Sequence, residues 1–230
     1  MIDFHCHILP GLDDGAQNLE ESLALARQSV ECGVDVVVGT PHGQRRVFGE
    51  LLPQRERALA LLQDALKENN IPLTICPGME YFADGHSIDM AIAHPEILCG
   101  KPGSPNRPLL LELPLDMDLH FVADLLFMAQ LKGVPMVLAH PERYKAFRKS
   151  FDELCELMDK GLVLQFNSED FHKTFFNRAI PNLMLALIDH DPTRAVVGSD
   201  AHHAERRPAG LLQAKETITT LPTIRSCICR

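Results

Sequence analysis

Histidine and carboxylate side chains recur in this chain at regular places: His5 and His7, then His42, Glu80, Glu112, His140, and the pair Asp200 and His202. Each lies at or just beyond the end of a short apolar run. Imidazole nitrogen mixed with carboxylate oxygen, without thiolate, suits Mn²⁺, Fe or Zn²⁺ at an open catalytic centre better than a closed structural zinc. On a strand, side chains alternate with period two, so His5 and His7 share one face and Cys6 takes the other, a spacing that fits two ligands on one ion. A lone His in such a place is more often hydrogen-bonded structure than a ligand. Here, however, five of the eleven His fall with three carboxylates in otherwise apolar segments, where unpaired charge is costly. Eight ligands exceed one coordination shell. A cluster of two or three ions sharing a bridging carboxylate is therefore expected, with bridged ions about 3.5 to 4 Å apart.

Elements that could bring such distant residues together are visible in the same sequence. Apolar, β-branched or Leu-rich runs cover 2–7, 34–40, 73–77, 109–113, 135–140, 162–167 and 195–199, most of them followed by an amphipathic stretch. This is the pattern of repeated βα units, an α/β class, and in a closed parallel barrel the C-terminal strand ends converge on one mouth. A helix is expected over 19–32, with Asn18 as N-cap, Glu21 three positions on and Gly33 as terminator. Periodicity predicts further helices over 54–68, 87–93, 119–131, 151–160, 175–189 and 210–219. The stretch 99–108, rich in Pro and Gly, reads as a surface loop.

A length of 230 residues suits one large domain, 1–230. No apolar run approaches the roughly 18 residues a bilayer span needs, and no basic leader precedes Ile2. The net charge of −9 disfavours a nucleic-acid backbone as main partner. Seven scattered Cys fit a reducing compartment better than a disulfide framework. The chain is expected to be cytoplasmic, without membrane insertion; its oligomeric state is open.

Other groups admit two readings. Asp13 and Asp14, in Pro10-Gly11-Leu12-Asp13-Asp14-Gly15, read on composition as turn and cap residues. Arg143, Arg206 and Arg207 would ordinarily be surface charges, but beside a metal cluster they become candidate phosphate clamps, because guanidinium matches phosphate oxygens bidentately. His86, His94, His120, His172 and His190 read as structural, and Cys227-Ile228-Cys229 is too short and isolated for a metal site.

The blocks His5-Cys6-His7-Ile8-Leu9-Pro10-Gly11-Leu12-Asp13-Asp14-Gly15, Thr40-Pro41-His42, Pro77-Gly78-Met79-Glu80, Leu111-Glu112-Leu113-Pro114, Ala139-His140-Pro141-Glu142-Arg143-Tyr144 and Gly198-Ser199-Asp200-Ala201-His202 run in order through nearly the whole chain. Together they resemble the PHP-superfamily (polymerase and histidinol phosphatase) tyrosine-protein phosphatases of bacterial capsule and exopolysaccharide operons. The resemblance implies a distorted TIM-like (β/α)7 barrel with the metal site at its C-terminal face. It also implies three divalent ions, usually Mn²⁺, with Fe, Zn or Co as other candidates. By similarity, His5, His7, Glu80 and Asp200 hold one ion; Asp14, His42 and His202 a second; Glu80, Glu112 and His140 a third, with Glu80 bridging. This makes Asp14 a ligand. Arg143 and either Arg206 or Arg207 match positions that bind substrate phosphate. Gly43 stands where relatives often carry a second His, Met79 replaces a commonly polar residue, and 165–170 follows the usual segment only loosely. These departures bear on substrate preference more than on the metal set.

The chemistry expected is phosphomonoester hydrolysis by metal-activated water attacking phosphorus in line, with Arg and the ions stabilising phosphoryl charge. A thiol mechanism needs Arg six residues after the nucleophilic Cys, and the residues six after Cys6, Cys32, Cys76, Cys99 and Cys155 are Leu12, Val38, Phe82, Pro105 and Gly161. A phenolic leaving group, with pKa near ~10, asks little of a general acid, and His203 or Asp14 could supply a proton. The substrate implied by resemblance is the phosphotyrosyl tail of a bacterial tyrosine kinase governing polysaccharide export. The rival readings are a PHP phosphoesterase for histidinol phosphate or a nucleotide, and a metal-holding regulatory module without turnover.

Overall fold

Each of the seven apolar runs forms a strand, and between them the amphipathic segments form helices that cover the strands from outside. The computed structural model describes residues 1–114, 117–172 and 179–214. Its elements are β1 (Ile2–Cys6), α1 (Leu19–Glu31), β2 (Val36–Gly39), β3 (His42–Gly43), α2 (Phe48–Glu68), β4 (Thr74–Pro77), β5 (Glu80–Phe82), α3 (Ser87–Ala93), β6 (Leu109–Glu112), α4 (Leu119–Lys132), β7 (Met136–Ala139), α5 (Phe151–Asp159), β8 (Val163–Asn167), α6 (Ala179–His190) and β9 (Ala195–Gly198). The helix expected over 175–189 appears from Ala179, its first residues lying outside the described ones. The second half of that over 210–219 lies outside them too; in the described half the helical part is a 3-10 turn, Leu212–Ala214.

Two short strands were not expected. β3 and β5 continue β2 and β4 after interruptions at Thr40-Pro41 and at Gly78-Met79; Pro41, and Pro77 at the end of β4, have no N–H to give a ladder. The lower parts pair as β1-β2-β4, the upper parts as β3-β5-β6-β7-β8-β9, every pair parallel. Gly39 lies opposite Pro77 and His42 opposite Glu80, so the register survives both breaks. Arg55, buried in α2, holds one break by donating to the carbonyls of Gly78 (3.0 Å) and Glu96 (2.9 Å). At the far side, β9 meets β1 through two backbone bonds, Asp200 N–H to His5 O (2.7 Å) and His7 N–H to Ala201 O (2.9 Å). The result is a distorted, TIM-like α/β frame of seven strand positions, with a short seam in place of a full ladder between first and last.

The interior is filled by one inward side chain from most strands: Phe4, Val38, Cys76, Leu110, Val137 and Val196. A register shift between Asp3 and Cys6 then changes the phase of β1, so that after Phe4 it is His5 and His7 that face the centre, while Cys6 joins the outer layer under the helices. A bulge that re-aims side chains beside a site is a common use of this irregularity. Asn18 caps α1 by accepting from Glu21 N–H (3.0 Å), as its position predicts. Helix α2 starts at Phe48, earlier than expected, because buried Phe48 and Leu51 anchor a turn ahead of Pro53. Among the described residues, no two cysteines are joined in a disulfide.

Candidate metal centre

The ligand-type residues sit where the strands end. β1 and its extension supply His5 and His7, the loop after it Asp14, β3 His42, β5 Glu80, β6 Glu112, the residue after β7 His140, and the turn after β9 Asp200 and His202. His140 and Asp200 both hold left-handed backbone, at φ 33° and 52°. Such conformations cost roughly 1–3 kcal/mol in a non-glycine residue and cluster at functional sites.

All nine side chains meet. Four overlapping groups have one ligand atom per residue within 4.8 Å of the others: His7, Asp14, His42 and His202; His5, His7 and Asp200; His5, Glu80 and His140; and His42, Glu80 and Glu112. Glu80 is central. Its Oε1 lies 2.7 Å from His140 Nε2, and its Oε2 lies 3.2 Å from both His5 Nε2 and His7 Nε2 and 3.0 Å from His42 Nδ1. These groupings differ from the expected sets: His7 joins Asp14, His42 and His202 as well as His5 and Asp200, and the expected trio of Glu80, Glu112 and His140 is divided, Glu80 grouping with His5 and His140 and, separately, with His42 and Glu112. The centre opens on one side only. Glu80 is 1% exposed whereas Asp14 is 71% exposed, with His42 and Glu112 between them.

The donor set fits cations. Glu80 Oε2 is buried without a hydrogen bond although three imidazole nitrogens surround it. His5 Nε2 and His7 Nε2 face each other at 3.1 Å while their other nitrogens are bonded to oxygens of Gln165 and Asp13. Two such lone pairs repel unless a positive charge lies beside them. Burial opposes charge on His5 and on Glu80. The pairing outweighs it, so Glu80 and Asp200 draw His5 above its ordinary range while the imidazoles hold Glu80 well below the usual carboxylate value. His202 goes the other way, down to about 4, through burial and the nearby His7.

Three residues not singled out as site residues complete the shell. Asp13 accepts from His7 Nδ1–H (2.7 Å), from the backbone N–H of His42 (2.9 Å) and from that of Gly15 (2.9 Å). Gln165 accepts from His5 Nδ1–H at 2.7 Å, and Asn167 donates to Asp200 at 2.9 Å. Proximity of Asp13 to Asp14 was the one signal for the first. The amides carried none, because no spacing rule links a strand amide to a ligand on another strand.

Arg143 Nη1 and Arg207 Nη2 both reach Asp200 Oδ2, at 3.0 and 2.7 Å. Arg206 is exposed, so of the adjacent pair it is Arg207 that turns to the centre. His203 is half-buried; its ring accepts from Glu205 N–H (3.1 Å), and it belongs to none of the converging groups. The departures at Gly43 and Met79 form one packing arrangement: a Cβ at Gly43 would collide with the fully buried Met79 thioether. Gln165 and Asn167 likewise lie buried beneath the ligands, away from the open side.

A distorted parallel barrel with a candidate metal centre at its C-terminal strand ends defines the class. Within it, the chain belongs to the CpsB/CapC family of capsular polysaccharide synthesis, whose model matches residues 1–221. It is 33% identical over 208 residues to the tyrosine-protein phosphatase YwqE of Bacillus subtilis, covering 90% of this chain and 79% of that one. It is 30% identical over 224 residues to the tyrosine-protein phosphatase CpsB of Streptococcus pneumoniae, covering 95% and 89%. One solved structure, from work on YwqE and CpsB as unique metal-dependent tyrosine phosphatases, superposes with a TM-score of 0.79 at 30% identity, over 95% of this chain and 86% of that one. The histidinol phosphate phosphatase of Lactococcus lactis shares the fold, with a TM-score of 0.57 at 14% identity over 95% and 91%.

Proposed function

We propose that this chain is a metal-dependent phosphomonoester hydrolase acting on phosphotyrosine in protein, its substrate the phosphorylated tail of a tyrosine kinase that governs capsule or exopolysaccharide synthesis. The observation that carries the reading is the convergence of nine ligand-type side chains beside two arginines, in a chain of the CpsB/CapC family. We read residues 1–230 as one catalytic unit working in the cytoplasm. Among the described residues, no helix is long and apolar enough to cross a membrane. The four groups suit three ions, Mn²⁺ being the expected metal, with His5, His7, Asp14, His42, Glu80, Glu112, His140, Asp200 and His202 as ligands and Glu80 shared.

Bound divalent ions would supply Lewis acidity and a hydroxide-like water at neutral pH. The protein's own groups do the rest. Arg143 and Arg207, a third exposed, turn their remaining N–H groups toward incoming phosphate and balance its charge. Buried Glu80, His5, His7 and Asp200 keep bulk water from the floor of the centre. The departing phenolate needs little help from a general acid, because phenol is acidic. Cys6, between two ligands in sequence, takes no part: it is buried with its thiol pushed up by desolvation, the reverse of an activated nucleophile.

The test is a comparison of kcat/KM on a phosphotyrosyl peptide, histidinol phosphate and a nucleotide, each with added Mn²⁺. Preference for the peptide supports the reading. A tenfold preference for either small molecule would leave a metallophosphoesterase and remove the tyrosine phosphatase; no turnover of any would leave a metal-binding module.

A further inference from the structure

Within the upper sheet, β8 is the strand that contributes no ligand-type side chain to the centre, yet two of its side chains, Gln165 and Asn167, are fully buried against it. Asn167 Nδ2 lies 2.9 Å from Asp200 Oδ2, its Oδ1 lies 3.0 Å from Gln165 Nε2, and Gln165 Oε1 lies 2.7 Å from His5 Nδ1. The direction of every bond in this row follows from its end. A carboxylate only accepts, so Asn167 must present its NH2 to Asp200. Its carbonyl oxygen then faces Gln165, which must donate, and the Gln165 carbonyl oxygen is left for His5. That oxygen also takes the His140 N–H at 3.3 Å. His5 must therefore carry its proton on Nδ1, which frees the Nε2 lone pair facing Glu80 and Asp200.

We propose that Gln165 and Asn167 are positioning residues of the centre: a neutral amide relay that fixes the His5 tautomer and ring plane from the Asp200 end and ties the ligand after β9 to those on β1 and after β7. The assignment rests on the metallophosphatase reading. A ligand histidine held through its second nitrogen is the common arrangement in metal sites, and losing that partner typically weakens metal binding about 10- to 100-fold. Here the partner is an amide, not a carboxylate. It orients the ring without adding a further negative charge to a centre already holding Glu80, Glu112 and Asp200.

The experiment combines two readouts on the full chain. Nitrogen-15 correlation spectra of the histidine rings, in the Zn²⁺-loaded protein and in the metal-free protein at alkaline pH, should show the His5 proton on Nδ1. Gln165→Leu should lose that signature and bind Mn²⁺ 10- to 100-fold more weakly by titration calorimetry, whereas Gln165→Glu, which retains an acceptor, should keep it. A His5 proton on Nε2 in the unmodified protein would overturn the proposal, as would a folded Gln165→Leu variant with Mn²⁺ affinity within about threefold of the parent. If the leucine variant does not fold, the spectra of the parent and of Gln165→Glu decide. Failure of the parent to bind Mn²⁺ or Zn²⁺ would instead count against the metal reading, and the metal-free spectra would still report on the relay.

Discussion

Replacing Asp13 by Asn exchanges one atom and should be expensive. The carboxylate is 6% exposed and receives three donors: His7 Nδ1–H and the His42 N–H on one oxygen, the Gly15 N–H on the other. An asparagine can satisfy only one side, because its NH2 must then face an N–H. A buried donor left without an acceptor costs about 1–3 kcal/mol. The acidity gives an independent figure. Burial alone would raise the pKa of Asp13, but the His7 bond dominates and brings it from 3.8 to about 2. That corresponds to about 2 kcal/mol favouring the charged form in the folded protein. Because the folded pKa is depressed, this contribution is present above about pH 4 and disappears as the pH falls toward 2. Urea unfolding of the metal-free protein at pH 7 should therefore show Asp13→Asn less stable by about 2 kcal/mol, with the difference shrinking below pH 4. A loss under about 0.5 kcal/mol at pH 7, or a difference that grows on acidification, would refute the reasoning.

Glu80→Ala should remove more than one divalent ion per chain by elemental analysis, since Glu80 belongs to two of the four ligand groups; loss of one ion at most would argue against a shared carboxylate. A chelator should abolish aryl-phosphate turnover and Mn²⁺ restore it, while thiol alkylation of the native protein leaves it intact; inactivation by alkylation with metal retained would contradict the mechanism. Arg207→Ala should lower kcat/KM by roughly 10²-fold with metal content unchanged, whereas Arg206→Ala should stay near the parent, and equal effects would undo the choice between them. Glu142 is fully buried, which pushes its carboxyl up to about 8. Its folded pKa is raised, so it should cost stability as the pH climbs from 4.5 toward 8, by roughly 4 kcal/mol at the upper end. Glu142→Gln should flatten that slope in unfolding midpoints, and a parallel slope would discount the carboxyl as its source.

The seven strand positions and eight of the nine converging side chains could be read from the chain because both signals are local, whereas Asp14 read as a turn residue and became a ligand only by resemblance to the family. An apolar run ends, and a His or acid follows it. β3 and β5 escaped notice because strands of two and three residues have no periodicity to detect. Asp13 looked like a turn residue, as it is, since its Oδ1 accepts from Gly15 N–H; what the sequence does not carry is that its other oxygen reaches His7 and His42. Arg206 and Arg207 differ by one position, and only the antiparallel pairing of His203 with Arg207 turns the second one inward. Gln165 and Gly43 seemed to concern the substrate because they depart from relatives, yet each is spent on packing or hydrogen bonding below the ligands.

The two interrupted strands make His42 and Glu80 hostages to chain length. Both segments leave the lower sheet as neighbours and re-enter the upper one as neighbours, after the same number of intervening residues. Deleting one residue from 40–41 alone would slide β3 by one place against β5, and with a period of two that turns His42 away from the centre. A matching deletion at 78–79 would bring β3 and β5 back into step with each other but slide both against β6, so that Glu80 would turn away as well. Length changes at these two points should therefore be lethal to the centre singly and together, and the spacing from the lower sheet to the upper one is as fixed as the ligands themselves.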